Sequence, residues 1–371
     1  MIEALLVTAA LLAIASLAFL PHAVTRALGA LFLSAVAFVF LRHVGGDLLA
    51  GLVCAAIGFV AWRFLPGAIL RRVAFMVPSL VLLIGVTTWL MYLAPGNPFA
   101  QEKSIAPQVE AALRAQYGVP ESPLAFFRVY MERLLGEGSL GPALKVKGRT
   151  VQEVLLPALP VSLGLGGLAL VLAVGMGLLL GVRAGMRPNS WADHASMGLA
   201  LVGISLPNFV IGAGLMIVLA LQLGWLPVAG WGGFRHVWMP ALTLALPHAA
   251  TIARLARSGT IEVLQQDWIR TARAKGLTEA RVVSRHALQV AVLPVVSYLG
   301  PAAAGILTGS FVVETLFGIP GMGQWFVKGA INRDYSIVLG TALFYCGLIT
   351  SFNLVVDLLL AWLDPRTRQV A

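Results

Sequence analysis

Long stretches free of Asp, Glu, Lys and Arg alternate along this chain with short, arginine-rich ones. A helix rises about 1.5 Å per residue, so about 20 apolar residues cross the roughly 30 Å hydrocarbon core of a bilayer. Beyond residue 70 the stretches are 73–93, 154–182, 195–234, 236–253, 286–313 and 335–356. The third is too long for one crossing. Its Gly224-Trp225-Leu226-Pro227 and the following 229–233 predict a turn-rich exit from the bilayer with interfacial tryptophans. Six spans are therefore expected. Ahead of them, 2–20, 23–41 (interrupted only by Arg26) and 48–62 predict about three further helices. A signal peptide is the competing reading of 2–20. With acidic Glu3 in place of a basic start and no clear small-residue cleavage site, a retained helix fits better.

Composition agrees. The 371 residues are 59% hydrophobic and 11% charged, against about 45–50% and about 25% in soluble domains. An ordinary soluble enzyme, a disordered chain and a disulfide scaffold are excluded. Cys54 and Cys346 both lie in apolar runs and suggest neither disulfide nor metal site. The net charge of +10 does not point to nucleic acid, because the basic residues flank the spans and set topology. Arg63, Arg71 and Arg72 precede the first of the six, and Arg183 and Arg187 follow the second. Arg254, Arg257, Arg270, Arg273, Lys275, Arg281 and Arg285 lie between the fourth and fifth, and Arg366 and Arg368 follow the sixth. The opposite short loops hold only Arg235, Lys328 and Arg333. The arginine-rich loops and the C-terminus are thus expected in the cytoplasm, with 94–153 outside.

No Gly-x-x-x-x-Gly-Lys-Ser/Thr phosphate loop, His-Glu-x-x-His zinc pair or Gly-x-Ser-x-Gly nucleophile turn is present. An ion-coupled carrier would bury carboxylates or histidines near mid-membrane, since charge there is costly. Glu314 and Asp357 sit toward span ends, and His248, near Pro247, is the one deep candidate. A neutral histidine there is more often a helix-to-helix hydrogen bonder than a proton relay. What remains is a pathway-forming protein powered from elsewhere, with no catalytic or metal-binding residues of its own.

The segment 262–285 divides at Gly276. The run before it is helix-compatible and ends on Arg273 and Lys275, which complement the negative end of a helix. Gly276 fits a left-handed closing position. Thr278 is placed to cap a second helix with Glu279 in its first turn. In that helix Val282, Val283, His286 and Ala287 share one face, and Arg281 and Arg285 another. Such a hairpin suits docking on a soluble partner, and from spacing alone a solvated basic loop fits equally well.

The same residues resemble the cytoplasmic loop of binding-protein-dependent ABC importer permeases. That loop's consensus begins Glu-Ala-Ala, with Gly four residues after the second Ala; here Arg270-Thr271-Ala272 and Gly276 stand at those places. The first two positions depart from the general consensus, and the closing Leu-Pro comes late, at Leu293-Pro294. Both departures are similar to the dipeptide/oligopeptide/nickel branch, as are Arg285-His286-Ala287-Leu288, Ala94-Pro95-Gly96-Asn97-Pro98, Leu226-Pro227-Val228-Ala229-Gly230, the run from Glu314 to Gly323, and Asp364-Pro365-Arg366.

The resemblance implies an all-α integral membrane protein: a six-helix type I importer permease core behind about three extra N-terminal helices. The organisation expected is an extension over 1–69, a first core span and long periplasmic segment over 70–152, the permease domain over 153–363 and a cytoplasmic tail over 364–371. It implies import of peptides across the bacterial inner membrane, with nickel or glutathione as other cargoes of the same architecture. The reading from a different class is an ATPase-independent carrier or a membrane-embedded enzyme. Implied partners are a second homologous permease subunit, two ATP-binding subunits that use the ATP, a periplasmic or lipid-anchored solute-binding protein, and membrane lipid. No cofactor is implied for this chain itself. Arg270, Thr271, Ala272, Lys275, Gly276, Thr278, Arg281 and Arg285 would form the element seated on an ATPase. Gly318, Pro320, Gly321, Gly323, Asn332, Arg333 and Asp334 would dock the binding protein or form an outer gate, in an irregular segment dipping back toward the membrane or in a plain surface turn. Asn208, His248 and Asn353 are the polar groups expected to face the path or to join helices, and Gly164, Gly166 and Gly167 are expected to let helices approach.

Overall fold

The computed structural model describes residues 67–94, 98–99 and 106–363; the expected helices over 2–62 and the tail over 364–371 lie outside the described residues. Among the described residues the chain is helical, with one isolated antiparallel bridge, Pro142 to Thr150, and no strand. Among the described residues four helices hold a stretch long and apolar enough to cross a membrane: α1 (Gly67–Leu93, over Ala74–Leu93), α5 (Leu159–Met186), α12 (Leu293–Phe317) and α14 (Tyr335–Leu363, over Tyr335–Leu360). A fifth crossing is made if α6 (Trp191–Ser205) and the continuous pair α7 (Asn208–Leu215) and π-helical Met216–Gln222 count as one span. Those two pieces meet at 112° across Leu206-Pro207, where proline removes a donor and holds the preceding residue out of the helical region. The expected exit after Gln222 is there as irregular chain with Gly224 and Gly230 at positive φ.

The predicted fourth crossing, 236–253, lies within α8 (Phe234–Leu264), which does not reach the same apolarity and runs well beyond the predicted end. Its buried residues extend from Met239 to Val263, and α5, α6, α7 and α12 all pack against it. A helix covered by other helices need not match lipid, so Pro240, Pro247 and His248 are tolerated. Arg254 and Arg257, read from sequence as loop charges, are helical residues.

The described residues form two compact units. The first comprises those up to Leu156 together with Lys328–Thr350. In it α2 (Pro107–Tyr117) starts on a proline and closes on left-handed Gly118, and α3 (Pro123–Gly136) starts on the Ser122 cap. A Thr150/Glu153 capping box opens α4 (Val151–Leu155). Tyr92, Phe126, Tyr130 and Tyr335 cluster there, and Tyr92 donates to the Pro120 carbonyl at 2.6 Å.

The second unit holds Pro157–Val327 and the described residues from Ser351 onward. Its seam is α5 against α8. A Cβ at Gly177 would lie 2.8 Å from the Ala249 carbonyl oxygen and one at Gly185 2.8 Å from that of Arg257, while one at Gly181 would collide with the Ala253 carbonyl. Glycine at i, i+4 and i+8 brings the two backbones together. The glycines expected in this role behave otherwise: Gly164 and Gly167 have no neighbour within 4 Å, and Gly166 is at ordinary contact distance from Ile306 and Leu307.

Candidate functional site

The hairpin around Gly276 is built on the end of α8. After Leu264 the chain breaks at Gln265 and Gln266 and re-enters α9 (Asp267–Ala274). Lys275 closes that helix, and Gly276 has φ 78° with no atom within 4 Å of the place a Cβ would occupy. The glycine is required by backbone conformation alone. The second arm starts as α10 (Glu279–Arg281), passes through a π-helical turn, Val282–Ala287, and ends as α11 (Leu288–Ala291). In the π turn the Leu288 amide donates to Val283, five residues back.

Val263, Ile269, Ala272, Val282, Ala287 and Ala291 form a buried cluster of their own, with Leu264 and Leu277 packed on it. The hairpin is therefore a small folded body rather than a solvated loop. Arg273 bridges its arms by donating to both carboxylate oxygens of Glu279, at 2.7 and 3.0 Å. That pairing holds the Glu279 carboxyl below its ordinary range. Arg270, Thr271, Lys275, Thr278, Arg281 and Arg285 are exposed, as is Trp268. Two expectations need correction. Ala272 faces the hairpin core, because it is three residues from Ile269 on the inner face of α9. Thr278 occupies the cap position, yet its hydroxyl makes no capping hydrogen bond; its backbone carbonyl accepts from Arg281 and Val282 instead.

The outer segment is organised by Glu314. α12 closes on left-handed Gly318 (φ 64°), and the Ile319 amide donates back to the Glu314 carbonyl at 2.8 Å. Irregular chain is confined to 318–321, and α13 (Met322–Asn332) follows as a helix. The Glu314 side chain is fully buried and accepts from Ser162 Oγ at 2.7 Å and from the Gly323 amide at 2.7 Å. Ser162 in turn accepts from the Met322 amide at 2.8 Å. A carboxylate at the positive start of α13, bonded to its amides, satisfies donors that a helix start leaves free. Gly321 and Gly323 are buried around it; a Cβ at Gly321 would meet Glu314 and lie 2.6 Å from Ser162 Oγ. Of the residues proposed for docking, Gly318, Pro320 and Asn332 are exposed and Arg333 is half-buried in a left-handed conformation (φ 58°).

Asp334 is buried as well. It accepts from the amides of Lys145, at 2.9 Å, and Ile337, at 3.1 Å, and burial pushes its carboxyl above the ordinary range. It caps α14 and anchors the segment around Lys145, which leaves it no free surface.

Asn208, His248 and Asn353 are all half-buried, and each stands over a different glycine of α12. A Cβ at Gly309 would lie 2.8 Å from Asn208 Nδ2, and one at Gly305 2.6 Å from His248 Cε1; one at Gly300 would collide with Asn353. His248 also shares a 3.1 Å hydrogen bond with the Tyr298 hydroxyl. They come from α7, α8 and α14 and meet α12 at three levels: Gly305 and Gly309, four residues apart, share a face, and Gly300 lies on another. Sequence reading missed Ser162 as the partner of Glu314, and it missed Asp193, which pairs with Arg257.

Comparison with known proteins places these features. Residues 177–369 match the family described as binding-protein-dependent transport system inner membrane component. The oligopeptide transport system permease protein OppB of Escherichia coli K12 is 43% identical over 302 residues, 81% of this chain and 98% of that protein. OppB of Haemophilus influenzae is 42% identical over the same shares. The dipeptide transport system permease protein DppB of Bacillus subtilis 168 is 40% identical over 81% of this chain and 97% of its own length. With helices able to cross a membrane several times and a match of this extent, the chain belongs to the family of binding-protein-dependent transport system inner membrane components.

Proposed function

We propose that this chain is a permease subunit of an ABC importer that carries peptides across the bacterial inner membrane. The observation that carries the reading is the self-contained hairpin 267–291. It has its own buried cluster, a left-handed glycine at its bend and an outward face made of Trp268, Arg270, Thr271 and Lys275. A folded, amphipathic projection whose outward face none of the described residues covers is suited to a soluble partner. The oligopeptide and dipeptide cargoes named for the relatives support peptides.

In this reading α8 supplies the fourth of six core crossings, the residues before 67 add about three helices, and the arginine-rich ends and the C-terminus face the cytoplasm. The hairpin seats on one of two ATP-binding subunits, which use the ATP, and this chain holds no nucleotide. A second homologous permease completes the path, a periplasmic or lipid-anchored binding protein delivers the peptide, and the exposed residues Gly318, Pro320 and Asn332 belong to its docking surface.

Affinity purification of the tagged chain from its native membrane in mild detergent tests this. A second permease and one or two ATPases are expected to come with it, and the reconstituted assembly is expected to import peptides at the expense of ATP. Recovery of the chain alone, still moving solute in liposomes, would overturn the reading in favour of a self-contained carrier and send attention to His248.

A further inference from the structure

We infer that Asp193 and Arg257 are positioning residues for transport, forming a lock that makes three helices follow the hairpin as one body. The inference rests on the importer reading above.

Asp193 lies in the first turn of α6 with a side chain only 2% exposed. Arg257 approaches it side-on from α8, donating through Nε to Oδ1 at 2.5 Å and through Nη2 to Oδ2 at 2.7 Å. The Asn189 amide donates to Oδ2 at 2.9 Å, and Asn189 holds a left-handed conformation (φ 62°) that winds the α5–α6 turn around the carboxylate. Ser190 Oγ accepts from the Asp193 amide at 3.2 Å, so the same turn also caps α6. Two parallel charge-assisted bonds fix orientation as well as distance.

Arg257 is also where α5 touches α8. A Cβ at Gly185 would lie 2.8 Å from the Arg257 carbonyl oxygen and 2.7 Å from Thr260 Cβ. At one level, then, α5 meets α8 backbone to backbone while α6 is tied to α8 by the ion pair. About two turns further along α8, Val263 enters the buried cluster of the hairpin. The hairpin is thus rigidly joined to α8, and α8 is joined to α5 and α6 just before it.

The consequence is mechanical. A displacement imposed on the hairpin reaches α8 through its own core. With the lock closed, α5 and α6 must move with α8; with it open, α8's end can pivot while its neighbours stay. Loss of either partner leaves the other charge unpaired, with the Asp193 side chain only 2% exposed, so neither single variant leaves a relaxed pair.

The test uses the whole assembly purified with its partner subunits and reconstituted in liposomes. Peptide uptake from an isotope-labelled tryptic digest and ATP hydrolysis are measured together. Asp193→Asn and Arg257→Gln are each expected to lower peptide imported per ATP hydrolysed about fivefold, in the range of coupling effects of single residues. The double variant is expected to be no worse than either single one, since both remove the same interaction. Arg257→Lys keeps the charge without the side-on geometry and falls between. A purely structural role would reduce uptake and hydrolysis together, in proportion to the folded protein recovered. An importing wild type whose variants keep its peptide-to-ATP ratio would overturn this role alone. A wild-type assembly that moves no peptide would overturn the importer reading and this role with it.

Discussion

Two glycine-marked bends of this chain, at Gly276 and at 318–323, solve opposite problems. Gly276 sits at an exposed tip with empty space where a side chain would be, and its only demand is a positive φ. Gly321 and Gly323 sit in a crowded interior, where a Cβ would meet Glu314 and, for Gly323, lie 2.7 Å from Phe311 Cα. The first bend presents a folded surface outward; the second is wound around a buried carboxylate and faces inward. A glycine in a motif therefore carries no single meaning: one is kept for its conformation, the other for its lack of volume.

Substitution separates the two. Gly321→Val is the most damaging change expected, because the added atoms meet Glu314 and Ser162 rather than a movable surface side chain. It should destabilise by about 3 kcal/mol, the upper range for overpacking, visible as loss of monodisperse protein in detergent and a lowered Tm. Gly276→Asp should cost only about 1 kcal/mol, the strain of a left-handed side chain. Membrane insertion and Tm should then be nearly unchanged while ATP-driven peptide uptake is lost; normal uptake by that variant would refute the role of the hairpin.

The smallest effect concerns the pair that bridges the hairpin's arms. Arg273 holds the Glu279 carboxyl below its ordinary value, so the stabilisation is present above the unfolded carboxylate range. It is lost as pH falls through the depressed folded value, when Glu279 takes up a proton. Both groups are largely solvated, so the contribution is small and screened by salt. Hydrogen exchange at hairpin amides should quicken slightly in acid, after correction for intrinsic rates, and Arg273→Ala should remove that dependence without touching the segment around Glu314.

The difference between the bends also explains what the sequence disclosed. The bend of the Gly276 hairpin was legible because its determinants are local, a left-handed glycine with Val282, Val283 and Ala287 on one face, whereas spacing alone did not separate a folded hairpin from a solvated loop, nor disclose that the Thr278 hydroxyl makes no cap. The four long apolar helices of the described residues were legible because a run of that length and apolarity suits an apolar solvent, whereas the expected fourth crossing lies in α8, which falls short of that apolarity. Glu314 stood out as a charge near a span end, but its partner Ser162 is far away in sequence and no local pattern joins them. Arg257 was misread as a loop charge because α8 continues where the apolar run stops; only Asp193, from another helix, explains a cation there. The seam Gly177, Gly181, Gly185 had a readable four-residue spacing, whereas Gly164 and Gly167 looked equally small and turned out to face open space.

The π-helical turn Val282–Ala287 has a consequence for register. Five-residue closure puts one more residue into the turn than an α-helix holds there. The wider turn takes up that residue, so the chain downstream is shifted by one position in sequence and keeps its angular phase. Deleting a single residue from this turn would restore ordinary winding at the hairpin and leave the continuing chain in nearly the same phase. One residue is thus absorbed inside the hairpin without a change of phase passing to the membrane helix beyond it, which starts afresh after Val292.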